Sequence, residues 1–403
     1  MRSPEAEARP GGRGAGGIRS RSFALLLLST IAAFGGHSLL LPVVPLLAEA
    51  GGAGDLGAGA TTGVFMLTTV VTQLGMPALL ARGGYRWTLA AGSVLLGAPA
   101  PLLALGSDLW LVIAVSAVRG VGFGMVTVVG SALAARLVPP GQLGRAVGLY
   151  GFALGLPNLL CLPAGVWFAL EVGFAPLFVL GAVPLLGAAV VGGIRVAPPP
   201  PGPAGRPAPA PPGGRALALL LLAPTLVMLA GSVGFSVVVT FLPLALPHVV
   251  AAVPGALFAF SCALMATRWL AGAVSDRAGR PVLLAAGLAA AAAGSGGLLA
   301  AMAAGGWAAV ALLLAGATLF GAGFGTLQND ALVIMFNRSG PEGRGTASAM
   351  WNIAYDAGTG LGAVLVGAAA ESFGYPAPLA AITVLMAACL PVALAVRTGP
   401  RRP

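Results

Sequence analysis

Lysine is missing from this 403-residue chain, and charged residues of every kind make up only 8% of it. Soluble domains carry about 25% charged residues. So thin a supply cannot cover a water-soluble surface of this length, which excludes the soluble globular classes and leaves lipid as the solvent. Cysteine is as scarce. Cys161, Cys262 and Cys389 stand in separate apolar runs without metal-ligand spacing, and are expected to be small hydrophobes packed among helices. No Walker motif, metal-ligand cluster or nucleophile constellation occurs. The expectation is therefore a protein that is neither an enzyme nor an ATP-driven pump, with no metal and no cofactor. A signal peptide is not expected either: Phe23 to Ala48 is too long for an h-region and lacks a clear cleavage site.

What is present is apolar: 58% hydrophobic residues and 62 glycines. A membrane-spanning helix needs about 20 such residues. Charge-free runs bounded by charges or turn residues give twelve spans, over 23–47, 58–81, 88–106, 109–135, 146–170, 175–194, 216–246, 254–275, 281–304, 307–335, 346–370 and 377–396. The segment Ala197 to Arg215 is too rich in proline to be a helix, because proline lacks the amide donor that the ladder needs. It reads as an extended, solvated linker. The expected organisation is a disordered cytoplasmic tail over 1–21, a six-helix bundle over 22–196, the linker over 197–215, a second six-helix bundle over 216–396 and a tail over 397–403. The fold class is all-α, polytopic and membrane-spanning.

A net charge of +10 raises the question of nucleic acid. The arginines are instead strewn between apolar spans, so no nucleic-acid partner is expected. Taking the N-terminus as cytoplasmic, every arginine except Arg119 and Arg268 falls in a cytoplasmic segment. The external segments hold acids: Glu49, Asp55, Asp108, Glu171 and Glu371. This is the positive-inside distribution. One span more or fewer would invert every later loop and destroy it. Both termini are accordingly placed in the cytoplasm, and the Ala, Gly and Arg bias suggests the plasma membrane of a GC-rich bacterium.

The halves repeat. Gly120-Val-Gly-Phe-Gly124 in the fourth span matches Gly321-Ala-Gly-Phe-Gly325 in the tenth, and the turns at Pro139-Pro140-Gly141 and Gly340-Pro341-Glu342 keep that register. Between the eighth and ninth spans stands Gly272-Ala-Val-Ser-Asp276-Arg277-Ala-Gly279-Arg280. These residues resemble the G-x-x-x-D-R-x-G-R signature of the major facilitator superfamily at every fixed position. The loop of the first half, Pro77 to Arg86, keeps Arg82 and Gly84 but has Ala81 at the acidic position. The fourth span carries Arg119 ahead of its glycines, similar to that family's helix-4 motif without its usual Gln, and the fifth reads Gly151-Phe-Ala-Leu-Gly155-Leu-Pro157, a loose echo of the family's antiporter motif with the proline displaced by one. Asn329, Asp330, Asn352 and Asp356 lie in stretches that look like efflux-type members.

The resemblance implies two pseudo-symmetric six-helix bundles (the MFS fold), rocking about a midplane site. It also implies a cytoplasmic gate at Gly272, Asp276, Arg277, Gly279, Arg280 and Arg82. The function implied is proton-coupled export of a small amphipathic molecule by a monomer in the lipid bilayer. The alternatives are proton-coupled uptake of a sugar or organic anion, or a membrane sensor that does not transport.

Intramembrane polar residues locate the cavity. An ionised side chain facing lipid costs about 2.5–3.5 kcal/mol on an insertion scale, so such groups face a cavity or each other. Arg119 and Asp356 lie near mid-depth, Arg268 and Asp330 in the inner part. His37, Gln73, Asn158, Gln328, Asn329 and Asn352 accompany them, all on spans other than the third, sixth, ninth and twelfth. Asn352 and Asp356 share a helix face. Aligning Asp276-Arg277 with Ala81-Arg82 sets Arg268 opposite Gln73 as a pseudo-symmetric cavity position. Asp356, then Asp330, are the expected proton carriers, with Arg119 expected to sense the rocking of one bundle against the other. Asn158 is expected to form a helix–helix hydrogen bond.

Overall fold

The computed structural model describes residues 17–195, 214–278 and 280–397. Most of the two tails and of the proline-rich linker, together with Gly279 of the gate motif, lie outside the described residues. All regular structure among those described is helical. Eleven helices are long and apolar enough to cross a membrane. One of them, Gly54–Leu105, has 52 residues. At 1.5 Å per residue it would reach about 78 Å, against a hydrocarbon core of about 30 Å. It breaks at Gly84, whose φ of 66° and ψ of 171° leave the helical region. Only glycine takes up that conformation without strain.

The result is twelve spans. In chain order they are α1 (Arg21–Ala50), α2 and α3 (residues 54–83 and 85–105), α4 (Leu109–Arg136), α5 (Leu143–Glu171), α6 (Phe174–Val191), α7 (Leu217–Ala245), α8 (Pro247–Ala278), α9 (Leu284–Ala303), α10 (Gly306–Gly340), α11 (Gly343–Phe373) and α12 (Pro376–Val396). Gly340, with φ 68°, separates α10 from α11 as Gly84 separates α2 from α3. Boundaries fall within a few residues of the sequence expectation, with α8 the main exception. It begins at Pro247 rather than 254, because a 3₁₀ turn started by that proline runs into it. The three cysteines are free, but Cys262 is exposed instead of packed as expected.

The glycine pairs read as a repeat are helix contacts, and they repeat in space. A Cβ on Gly120 would land on the carbonyl of Phe65 in α2, and one on Gly321 on the carbonyl of Phe260 in α8. Gly122 abuts Gly92 and Leu96 of α3; Gly323 abuts Gly287 and Ala291 of α9. Gly124 and Gly325 face Thr69 and Leu264 in the same way. Small residues that let backbones touch are the usual means of helix association in lipid. These contacts fix the register of the two halves and confirm that Gln73 and Arg268 are equivalent.

The bundles meet along α2–α11 and α5–α8. Toward the end that carries the acidic loops, the first contact is tight. Gly59 and Gly63 of α2 leave no room for a side chain against Ala363 and Val364, and Gly360 packs on Met66. Toward the arginine-rich end α5 is uncovered. Only Ala146, Tyr150 and Ala153, one stripe at helical spacing, are buried between Leu143 and Leu154. The described state is therefore closed at the acidic face and open at the arginine face.

Candidate functional site

The closure is held by polar groups as well as by packing. Glu371 at the end of α11 accepts a 3.0 Å hydrogen bond from the backbone N–H of Leu56 in the first turn of α2. A carboxylate there satisfies an orphan amide and complements the helix dipole. Beside it the Tyr375 hydroxyl donates to Asp55. Burial first, and then the neighbouring carboxylates Asp55 and Glu49, push the Tyr375 phenol well above its ordinary range, so it remains a donor. Deeper in, α7 widens into a π-helical turn over Val237–Phe241. Its Thr240 meets Thr62 of α2 at 3.5 Å. The sequence marks Glu49, Asp55 and Glu371 as external acids but does not join them to one another or to Tyr375, Thr62 and Thr240. They are short loop acids and hydroxyls whose value lies in what faces them.

At the inner limit of this contact lies the pair that best combines charge with position. Gln73 Nε2 of α2 donates to Asp356 Oδ2 of α11 at 2.7 Å, joining the two bundles. The same amide nitrogen lies 3.4 Å from Thr127 Oγ1 of α4. Asp356 is buried at 4% exposure. Gln73 Oε1 is buried as well and has no partner. An amide can turn to offer that oxygen to a protonated carboxyl, so Gln73 can meet Asp356 in either protonation state. The symmetric position repeats half of this arrangement: Arg268 Nη1 of α8 donates to Gln328 Oε1 of α10 at 3.1 Å. Gln328 occupies the place of Thr127. Asn352 bonds its own helix at the Ser348 carbonyl and lies one turn from Asp356, toward the arginine face.

Arg119 is held within the first bundle and not at the interface, contrary to the expectation that it senses rocking. Its Nε donates to the Leu96 carbonyl of α3 at 3.2 Å and its Nη2 to the Gly36 carbonyl of α1 at 3.3 Å. Both partners belong to the same bundle as α4. His37 stacks on Phe123 with ring centroids 4.0 Å apart, and on Phe65 at 5.1 Å. Arg119 and His37 line a small, partly open cleft together with Thr61, Thr62 and Ser116. Asn158 accepts from Ser38 of α1 at 2.5 Å, and its backbone carbonyl accepts from Ser261 of α8, which is the expected helix–helix role.

Asp330 is also placed differently from the expectation of a proton carrier. Its carboxylate accepts from Ser275 at the end of α8 (3.2 Å) and from the backbone N–H of Leu283 at the start of α9 (2.7 Å). Asn329 Nδ2 adds a third donor at 3.2 Å. Asp330 is fully buried and clamps both ends of the loop that carries the gate motif. Nearness to that loop was the available signal, since Asp330 lies in the inner third of α10. The Asp330→Asn variant leaves one acceptor oxygen where two serve Leu283 and the Ser275–Asn329 pair, so one side loses its acceptor and the protein should lose about 1–3 kcal/mol of stability. Thermal unfolding of the purified protein reads this, and an unchanged midpoint contradicts the clamp. Asp276, Arg277, Arg280 and Arg82 are all exposed at the arginine face, and Gly272 is half-buried.

Among the described residues neither intramembrane arginine is paired with a carboxylate. The arrangement suits a transporter: a titratable group bonded across two bundles, one end closed, the other open. A family model described as Major Facilitator Superfamily matches residues 26–335 and 257–403. Two crystal structures of a bacterial homolog to the human lysosomal transporter Spinster share the fold. The inward-facing, unoccupied form is 15% identical with a TM-score of 0.75, over 96% of this chain and 98% of that one. The inward-facing, occupied form is 14% identical with a TM-score of 0.76, over 95% and 98%.

Proposed function

The chain belongs to the major facilitator superfamily, whose members are secondary transporters working by alternating access, and on that premise we propose that it exports a small amphipathic molecule in exchange for protons. The observation that carries this reading is the Gln73–Asp356 hydrogen bond, which spans the two bundles at the boundary between closed and open halves. Opening the acidic face separates α2 from α11 and breaks that bond. Asp356 then exchanges its amide partner for water from the other side. A carboxyl that faces opposite compartments in the two states is what proton coupling requires. The antiporter-like stretch Gly151 to Pro157 supports export over uptake.

In this reading the arginine face is the cytoplasmic one, in the plasma membrane of a bacterium, and the described state is inward-facing. The tails and the linker are cytoplasmic: a cysteine at position 208, in a chain freed of native cysteines, stays unlabelled by an impermeant maleimide in intact cells. The exposed Asp276 cluster acts as the gate of the alternate state, when α2, α5, α8 and α11 close over the arginine face. The protein works as a monomer with a small-molecule substrate and protons.

Transport is tested in everted membrane vesicles energised to an acid interior. A panel of amphipathic compounds should include members whose addition discharges the acid load only in vesicles containing the protein. If no compound does so, and substrate uptake in whole cells depends on the proton gradient instead, the direction is import.

A further inference from the structure

The charge that a substrate meets depends on which intramembrane groups already have their hydrogen bonds filled by the protein. Asp330 is committed to the α8–α9 loop, by Ser275 and Leu283. Asp356 is held by Gln73. Arg119 is buried and bonded to two carbonyls within its own bundle. Arg268 is different. It is exposed at the arginine face, and its hydrogen-bonding partner is the neutral oxygen of Gln328.

Arg268 is also held in place. Its guanidinium lies over the Trp351 ring, 5.7 Å from the centroid. The indole itself is fixed by donating to the Gln328 carbonyl at 3.2 Å. Behind Trp351 the rings continue: Tyr355 stacks on it at 6.0 Å, and Tyr355 meets Phe324 and Phe235 at 6.1 and 5.5 Å. Trp351 and Tyr355 are half-buried, so the shelf is open on one side. A cation laid on an aromatic face keeps its outer N–H groups for another acceptor.

Pseudo-symmetry says where that acceptor belongs. In one half, Gln73 of α2 donates across the interface to a carboxylate on α11. In the other, Arg268 of α8 is the equivalent donor, and α5 takes the place of α11. The α5–α8 contact has the matching register, with Gly155 against Met265 and Asn158 against Ser261. The equivalent of Asp356 is then Gly155, which has no side chain. Among the described residues no carboxylate is paired with Arg268; its partners are Gln328 and the Trp351 ring.

We infer that Arg268, seated on Gln328 and Trp351, binds the anionic group of the transported molecule, which supplies the carboxylate, phosphate or sulfonate that α5 lacks. The aromatic shelf takes the apolar part of the same molecule. This assignment rests on the transporter reading and narrows its substrate to amphipathic anions. A planar, fixed guanidinium favours such an oxyanion over a neutral or cationic ligand.

The test is equilibrium dialysis against full-length protein in nanodiscs, with empty nanodiscs as the blank. The probes are 2-naphthoate, 2-naphthamide and 2-naphthylmethylammonium. Wild type should bind the anion at least about tenfold tighter than the amide or the cation, one charge-assisted contact's worth of discrimination. Arg268→Gln should erase that difference by bringing anion binding down to the level of the amide, while Arg268→Lys retains part of it. Size-exclusion elution matching wild type establishes that Arg268→Gln is folded. No preference for the anion in wild type, or a preference that survives Arg268→Gln, overturns the assignment. Dialysis involves no gradient, so a failure here is separate from a failure of vesicle transport.

Discussion

Vesicles carrying Asp356→Asn are expected to release no acid load on addition of a compound that discharges wild-type vesicles. Asparagine keeps the size of aspartate and can still hydrogen-bond Gln73, so helix packing and substrate binding should persist. What is lost is the only function that requires a titratable group at that point, movement of the proton against the substrate. Counterflow of substrate without a gradient should therefore continue in the variant at a rate near wild type. Asp330→Asn is the contrasting case. Its carboxylate serves the α8–α9 loop, so the variant should lose stability and yet remain coupled in whatever fraction folds. Uphill transport surviving Asp356→Asn would place the coupling group elsewhere, and His37, beside the Arg119 cleft, would be examined next.

A cross-link between α2 and α11 should have an equally large effect. A Cβ added at Gly360 would lie against the Cβ of Met66. The pair Met66→Cys and Gly360→Cys, in a chain without Cys161, Cys262 and Cys389, is close enough for a disulfide after a small adjustment of the helices. Oxidation should hold the acidic face closed and bring transport down to the level of empty vesicles. A reductant should restore it, and each single cysteine should be indifferent to both reagents. Turnover that continues in the oxidised pair would mean that this contact does not open during the cycle. The glycines at 59, 63 and 360 would then serve packing alone.

The fold was legible because membrane insertion leaves coarse traces. Arginine on one side and acids on the other fix the number of spans, and proline marks the break between halves. Gly84 shows the same logic at one residue: its motif position called for a glycine turn, and its positive φ supplies the reason. Pseudo-symmetry was legible too, and it set Arg268 opposite Gln73 before any coordinates. Partners were not. Sequence position gives depth in the membrane but no direction around a helix. For this reason Asp330 and Asp356, two acids within adjacent spans, both stand as expected proton carriers in the sequence. One faces the start of α9 and the other faces α2. The partners of Arg119 are hidden in the same way, since the backbone carbonyls that hold it carry no signal in the sequence. Asp55 and Glu371 are legible as external acids, but their joining with Leu56 and Tyr375 into a latch is not, because the members are far apart in the chain.

The central claim is that a proton on Asp356 biases the choice between the two open states. A proton can shift a conformational equilibrium only by its differential affinity for the two forms. Spin-label distances test this without knowledge of the substrate. Labels at Gly106 and Gly305 report on the acidic face, and labels at Gly141 and Arg280 on the arginine face; all four positions are exposed. In wild type, transfer from mildly alkaline to mildly acidic buffer should shift the two distance distributions in opposite senses, one pair lengthening as the other shortens. In Asp356→Asn the distributions should be the same in both buffers. An opposite-sense shift that persists undiminished in Asp356→Asn would contradict the account.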